Sequence, residues 1–152
     1  MTETHRINKL FTDLYNGNPW IDVTIDETLK NITAVQAAKK VSMQLNSIWE
    51  IVNHIISWRE NVLQRVQGSV INTPDDNYFT LVKDTSEAEW ENTLKKLKVS
   101  QQKWISFIEN FNEINFEKIY PKNNMTYYEH IQGLLQHDAY HLGQIVLIKK
   151  LL

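Results

Sequence analysis

His137 and His141 stand four residues apart in the segment LLQHDAYHLGQ, near the end of the chain. On a helix that spacing projects both imidazoles from one face, about 40° from each other. Neutral imidazole ligates first-row transition metals, so two on one face can chelate such an ion. Leu134, Ile145 and Ile148 lie on the same face, which leaves a second reading open: two core histidines satisfied by hydrogen bonds. Spacing does not decide between them. Four neighbours bear on the same chemistry. Asp138 invites comparison with the HExxH helix of zinc proteases, where the glutamate is the base. Its shorter side chain and its rotation of about 100° from His137 point instead to an ion pair, beside the metal or on the surface. Gln144 projects on the histidine side and is placed to orient a ligand or bound water. His130, seven residues before His137, falls on the same face roughly 10 Å along the axis; it sits either at the mouth of a pocket, handling substrate, or on the surface. Tyr140 reads as an acid or hydrogen-bond donor to substrate, or as packing at an interface.

A helix must position these residues, and 126–152 reads as one. Thr126 and Glu129 form a capping box, and Lys149 and Lys150 complement the dipole at the other end. The segment is apolar nearly all round, since Leu135, Leu142 and Val146 lie away from the histidines. That predicts burial on more than one side, or the subunit interface of a homodimer. Gly133 and Gly143 each cost about 1 kcal/mol relative to alanine, which predicts close packing against a neighbour as the offset.

Three further long helices follow from periodicity. Residues 3–16 carry Ile7, Leu10, Phe11 and Leu14, with Gly17 as a left-handed C-terminal cap. Ser47 and Glu50 box the start of the next, whose stripe of Ile48, Ile51, Val52, Ile55, Val62 and Val66 ends at Gly68. Ser86 and Glu89 open another, running to about Asn110, that buries Trp90, Leu94, Leu97, Trp104, Phe107 and Ile108. Trp49 and Trp58 also read as core. A short turn is predicted around 26–31, and Thr33 with Gln36 boxes a brief helix to about Lys40. Residues 69–85, interrupted by Pro74-Asp75-Asp76, form the longest irregular stretch, of the length that binding loops and lids take. The expected fold is all-α, a four-helix bundle with long connections, in one domain spanning 1–152. With connections that long, the helix order need not be up-down-up-down.

Composition narrows the function. The net charge of −2 and the lack of a basic run argue against nucleic acid or an anionic membrane surface as partner. With no cysteine there is no disulfide, thiolate ligand or cysteine nucleophile from this chain. The N-terminus MTETHRINKLF lacks the apolar stretch of a secretory signal, and no run is long enough to span a bilayer, so the expected compartment is the cytoplasm. Paired Glu-x-x-His motifs are missing, which excludes a di-iron carboxylate bundle, and no Gly-x-Ser-x-Gly turn supports a serine hydrolase.

His54 sits on the shoulder of the second long helix's apolar stripe, next to Trp58. Alone it reads as structural or solvated. A bundle nonetheless brings the inner faces of its second and fourth long helices within side-chain reach, where His54 could join His137 and His141 in an open three-histidine site. The segments SIWEIVNHIISWRE (47–60) and LLQHDAYHLGQIVLIKK (134–150) resemble the two motifs of the DinB/YfiT-like superfamily of metal-binding bundles; NKLFTDLYNGNPW (8–20), TAVQAAKK (33–40) and EAEW (87–90) fit as well. The resemblance implies a divalent metal held by His54, His137 and His141: zinc first, with nickel, iron or manganese as alternatives. It also implies an enzyme of thiol-dependent S-transferase or hydrolase type, whose metal would activate an external low-molecular-weight thiol or a water for attack on an electrophilic small molecule. The competing expectation is a non-catalytic bundle, stress-related or serving interaction, that binds metal or ligand. No general base is assigned.

Overall fold

The computed structural model describes all 152 residues. Six α-helices are joined by turns and loops, with no β-strand: α1 (Glu3–Asn16), α2 (Ile25–Leu29), α3 (Ala34–Ala38), α4 (Ile48–Val66), α5 (Glu87–Glu109) and α6 (Tyr127–Leu151), with a 3-10 turn at Glu113–Glu117. The four long helices close a ring in which α1 lies on α5, α5 on α4, α4 on α6 and α6 returns to α1. Their order around the bundle thus departs from their order in the chain. The connection carrying α2 and α3 and the one from 110 to 126 let the chain cross over in this way. The ring sets α4 directly against α6.

Local signals start the helices. Thr33, Ser47 and Thr126 each close a complete capping box, with Gln36, Glu50 and Glu129 reaching back to the cap amide. Ser86 makes only half of the expected box. It accepts from the Glu89 amide, but its own amide donates to Asp84 Oδ1 at 2.9 Å, and the Glu89 carboxylate turns to Asn92 instead. Gly68 takes φ +98°, as a left-handed cap requires. Gly17 does not: its φ is −98°, and glycine is needed there because a Cβ would lie 2.8 Å from Asp13 Cα.

The core is tied together by tryptophans whose indole N–H groups all find acceptors. Trp49 donates to Thr93 Oγ1 at 3.0 Å, Trp90 to the Ile32 carbonyl at 2.7 Å and Trp104 to the Arg59 carbonyl at 3.0 Å. Each of the three rings is about 1 % exposed, so large apolar area is buried without leaving a polar atom unpaired. Trp58, also expected in the core, is only half-buried. On α6, Ile131, Leu134, Leu135, Leu142, Ile145 and Ile148 are all buried, because the helix touches α4, α1, α2 and the 3-10 turn. Tyr140, Leu147 and Leu151 remain exposed. The close packing expected at Gly133 and Gly143 is not found: a Cβ at either would meet nothing within 4 Å. No helix is long and apolar enough to cross a membrane.

Candidate metal centre

The adjacency of α4 and α6 brings His54 to His137 and His141. One ring nitrogen from each lies within 4.8 Å of the others, and His54 Nε2 stands 3.0 Å from His137 Nε2. His54 is 1 % exposed and His141 6 %, while the side chain of His137 keeps 24 %, so His137 marks the side facing solvent.

The other nitrogen of each ring faces an oxygen. His54 Nδ1 is 2.7 Å from the Asn77 carbonyl, His141 Nδ1 is 2.6 Å from Gln144 Oε1, and His137 Nδ1 is 3.5 Å from Asp138 Oδ1. The Gln144 orientation is fixed in turn, since its amide nitrogen donates to Tyr140 Oη at 3.1 Å. Carbonyl and carboxylate oxygens only accept, so these contacts favour the proton on each Nδ1, most firmly for His54 and least for His137 with its 3.5 Å approach. Each Nε2 is then a bare lone pair. The 3.0 Å approach of His54 to His137 therefore sets two acceptors against each other, an arrangement that repels unless a cation lies between. Tetrahedral ligation at about 2.0–2.1 Å would hold nitrogens roughly 3.3 Å apart, a spacing bracketed by the two distances above. The donor set fits a divalent metal.

The loop at 69–85 supplies the fourth side. It is pinned rather than free: Ile71 exchanges two hydrogen bonds with Tyr120 Oη, and Arg65 reaches Thr73. Asn77 and Tyr78 both adopt left-handed φ, +52° and +63°. Asparagine tolerates this and tyrosine does not, so backbone strain is stored beside the histidines. The bend aims the Asn77 carbonyl at His54, lets Asn77 Oδ1 accept from Trp58 Nε1 at 3.0 Å, and stacks Phe79 on His54 with centroids 3.9 Å apart. Trp58 lies 5.9 Å from the His137 ring.

Asp138 is fully buried, against the expectation that its ion pair could lie on the surface. Its Oδ2 accepts from Arg59 Nε at 2.8 Å, and Arg59 also reaches Gln101 Oε1 at 2.9 Å and Ser100 at 3.4 Å. His130 does not join the cluster. It is neither at the surface nor at a pocket mouth: 5 % exposed, it packs on Tyr120 and binds the Thr126 carbonyl and Asn123. Sequence reasoning passed over Arg59, Asn77 and Phe79. Arg59 had a visible signal, a charge sitting in register with Val52, Ile55, Val62 and Val66.

Burial pushes the His54 pKa down to about 4 from 6.5, its neighbouring imidazoles adding to the effect while the Asn77 carbonyl opposes it. His141 is lowered as well, chiefly by burial. Both rings are thus neutral at pH 7, the form in which an imidazole can ligate a metal. The same shift predicts an acid sensitivity. Between pH 6.5 and about 4 the unfolded chain holds a proton on residue 54 that the folded protein does not, so stability falls as pH falls through that window and levels below it. Urea unfolding of metal-free protein is expected to lose on the order of 2–3 kcal/mol from pH 7 to pH 4.5. A His54→Ala profile should be flatter, and an equally steep one would reject the assignment.

The sequence profile of the DinB superfamily matches residues 23–145. Neither a curated protein nor a solved structure matches the chain.

Proposed function

We propose that this chain, which belongs to the DinB superfamily, is a metal-dependent enzyme of thiol-dependent S-transferase or hydrolase type acting on a small molecule. The supporting observation is the set of three imidazoles with their Nδ1 protons committed elsewhere, leaving Nε2 lone pairs that converge. In this reading His54, His137 and His141 hold the metal, and Asn77, Gln144 and Asp138 fix the tautomer and tilt of each ring. An all-nitrogen donor set favours zinc, then nickel or iron(II), over manganese, which prefers oxygen ligands. Three protein ligands leave room for an incoming group, and the ion lowers the pKa of a coordinated thiol or water.

In the transferase reading, a carbon–sulfur bond forms between an external thiol and an electrophilic carbon, the bond to the leaving group breaks, and the thiol proton passes to solvent. The chain has no cysteine, so the nucleophile arrives with the cosubstrate. Trp58 and Phe79 flank the histidines and exclude water from one side, while Tyr140 offers a hydroxyl at the rim.

One observation favours the non-catalytic alternative. Five surface hollows, of 360–740 Å³, are lined by none of the three histidines. The two readings separate in one experiment: protein loaded with zinc, nickel or iron(II) is given glutathione or cysteine together with monochlorobimane or 1-chloro-2,4-dinitrobenzene. Turnover that needs metal and disappears in His137→Ala supports the enzyme. Metal binding without turnover for every thiol sinks the transferase reading, and the same loaded protein failing also to hydrolyse 4-nitrophenyl acetate leaves the binding protein.

A further inference from the structure

A second feature of the fold lies around α4 from the histidines. Ser57, Glu60, Asn61 and Gln64, at helical spacing on α4, face α5 across a groove of about 740 Å³, and residues Ile71, Asn72 and Tyr78 of the pinned loop contribute to its wall. The volume is that of a small-molecule site.

The chemistry of its lining is uneven. Lys95, Lys96 and Lys103 come from α5 against a single acid, Glu60, on a chain whose net charge is −2. The available ion pairs are loose: Lys103 to Glu60 and Lys96 to Glu89, both at 3.6 Å and exposed. Pairs of that kind contribute little and leave the ammonium groups free to meet an anion. Ile56, Ile71 and Val99 supply an apolar stretch.

Asn61 gives the independent sign. It is 2 % exposed and lines the groove; its amide nitrogen donates to Tyr78 Oη at 2.7 Å, yet Oδ1 is buried with no partner. A buried carbonyl oxygen left unpaired is disfavoured; Oδ1 is covered as the groove stands, so a ligand hydroxyl or amine satisfies it by displacing a neighbouring side chain.

We propose that the groove between α4 and α5 is a second binding site, for a small organic anion in which a carboxylate or phosphate sits on an apolar body carrying a hydroxyl or amino donor. The lysines take the anion, Ile56, Ile71 and Val99 the body, and Asn61 Oδ1 the donor. It neither uses the histidines nor depends on what they bind.

The test is titration of ¹⁵N-labelled protein, with and without zinc, using 4-hydroxybenzoate, benzoate and 4-hydroxybenzamide as probes. Saturable shifts are expected at Asn61, Asn92 and Ser100 with 4-hydroxybenzoate in both metal states. Benzoate, lacking the donor, and the amide, lacking the charge, should each bind about tenfold more weakly. The surface double variant Lys95→Gln/Lys103→Gln should weaken 4-hydroxybenzoate by a similar factor, and added salt should do the same in the parent. Absence of saturable groove shifts with all three probes, shifts confined to the histidines, or affinity indifferent to the lysines would overturn the proposal.

Discussion

Zinc added to metal-free protein is expected to bind as a single ion per chain and to raise the unfolding temperature, and His54→Ala, His137→Ala and His141→Ala are each expected to weaken that binding by more than ~100-fold. The threshold matters, because loss of a group that merely orients a ligand weakens a metal site by about 10–100-fold. Gln144→Ala, which removes the partner of His141 Nδ1, should fall in that lower range. The competing account is three neutral core imidazoles bonded to one another. It requires a proton between His54 Nε2 and His137 Nε2, and that proton would have to leave an Nδ1 already facing an oxygen. Stability without metal tells the two apart. If the bare Nε2 lone pairs repel, His137→Ala changes the metal-free unfolding free energy by less than about 1 kcal/mol while abolishing the gain on adding zinc. If the imidazoles are bonded to one another, His137→Ala destabilises the metal-free protein outright and zinc has little effect on either form. Calorimetric titration and urea unfolding of the same samples decide it.

The bundle was legible because its determinants are local and periodic. Thr33, Ser47 and Thr126 announce their helices by side chains three residues from a matching glutamine or glutamate, and the stripes of α1, α4 and α5 repeat at the helical period. His54 was harder. Periodicity ranks it on the edge of the α4 stripe, because the stripe's centre faces the bundle interior while His54 faces the seam with α6; yet it is 1 % exposed. Pairing it with His137 and His141 took the resemblance to a family, since no spacing links residues in two different helices. Asn77 and Phe79 lay further out of reach. Their placement follows from two consecutive left-handed residues in an irregular loop, and such backbone leaves no period to read. The glycines of α6 misled for the opposite reason. A helical glycine suggests a close neighbour, but Gly133 and Gly143 have none, and their presence has no packing account.

The largest effect on stability is expected at a residue that touches no ligand. Arg59→Met should destabilise the fold by about 3–5 kcal/mol, because it strands the Asp138 carboxylate in a site with 0 % exposure. That is a large share of the 5–15 kcal/mol typical of a domain. The reverse change, Asp138→Leu, strands the guanidinium and should cost a comparable amount. Combining the two removes both charges together and is expected to recover most of the loss, since burying an ion pair is itself expensive. Recovery will be incomplete because Arg59 also binds Gln101 and Ser100 on α5, so it ties α4, α5 and α6 at one point. The double variant then isolates the pair's second role. Asp138 Oδ1 faces His137 Nδ1 at 3.5 Å, and with that oxygen gone the His137 ring loses the group that selects its tautomer. A folded Arg59→Met/Asp138→Leu protein is accordingly expected to bind zinc about 10–100-fold more weakly than the parent. Urea unfolding of the four proteins in the cycle measures the first effect and zinc titration of the double variant the second. A double variant no more stable than the singles would assign the cost to lost packing around Arg59. One that binds zinc as tightly as the parent would reduce Asp138 to a structural counter-ion.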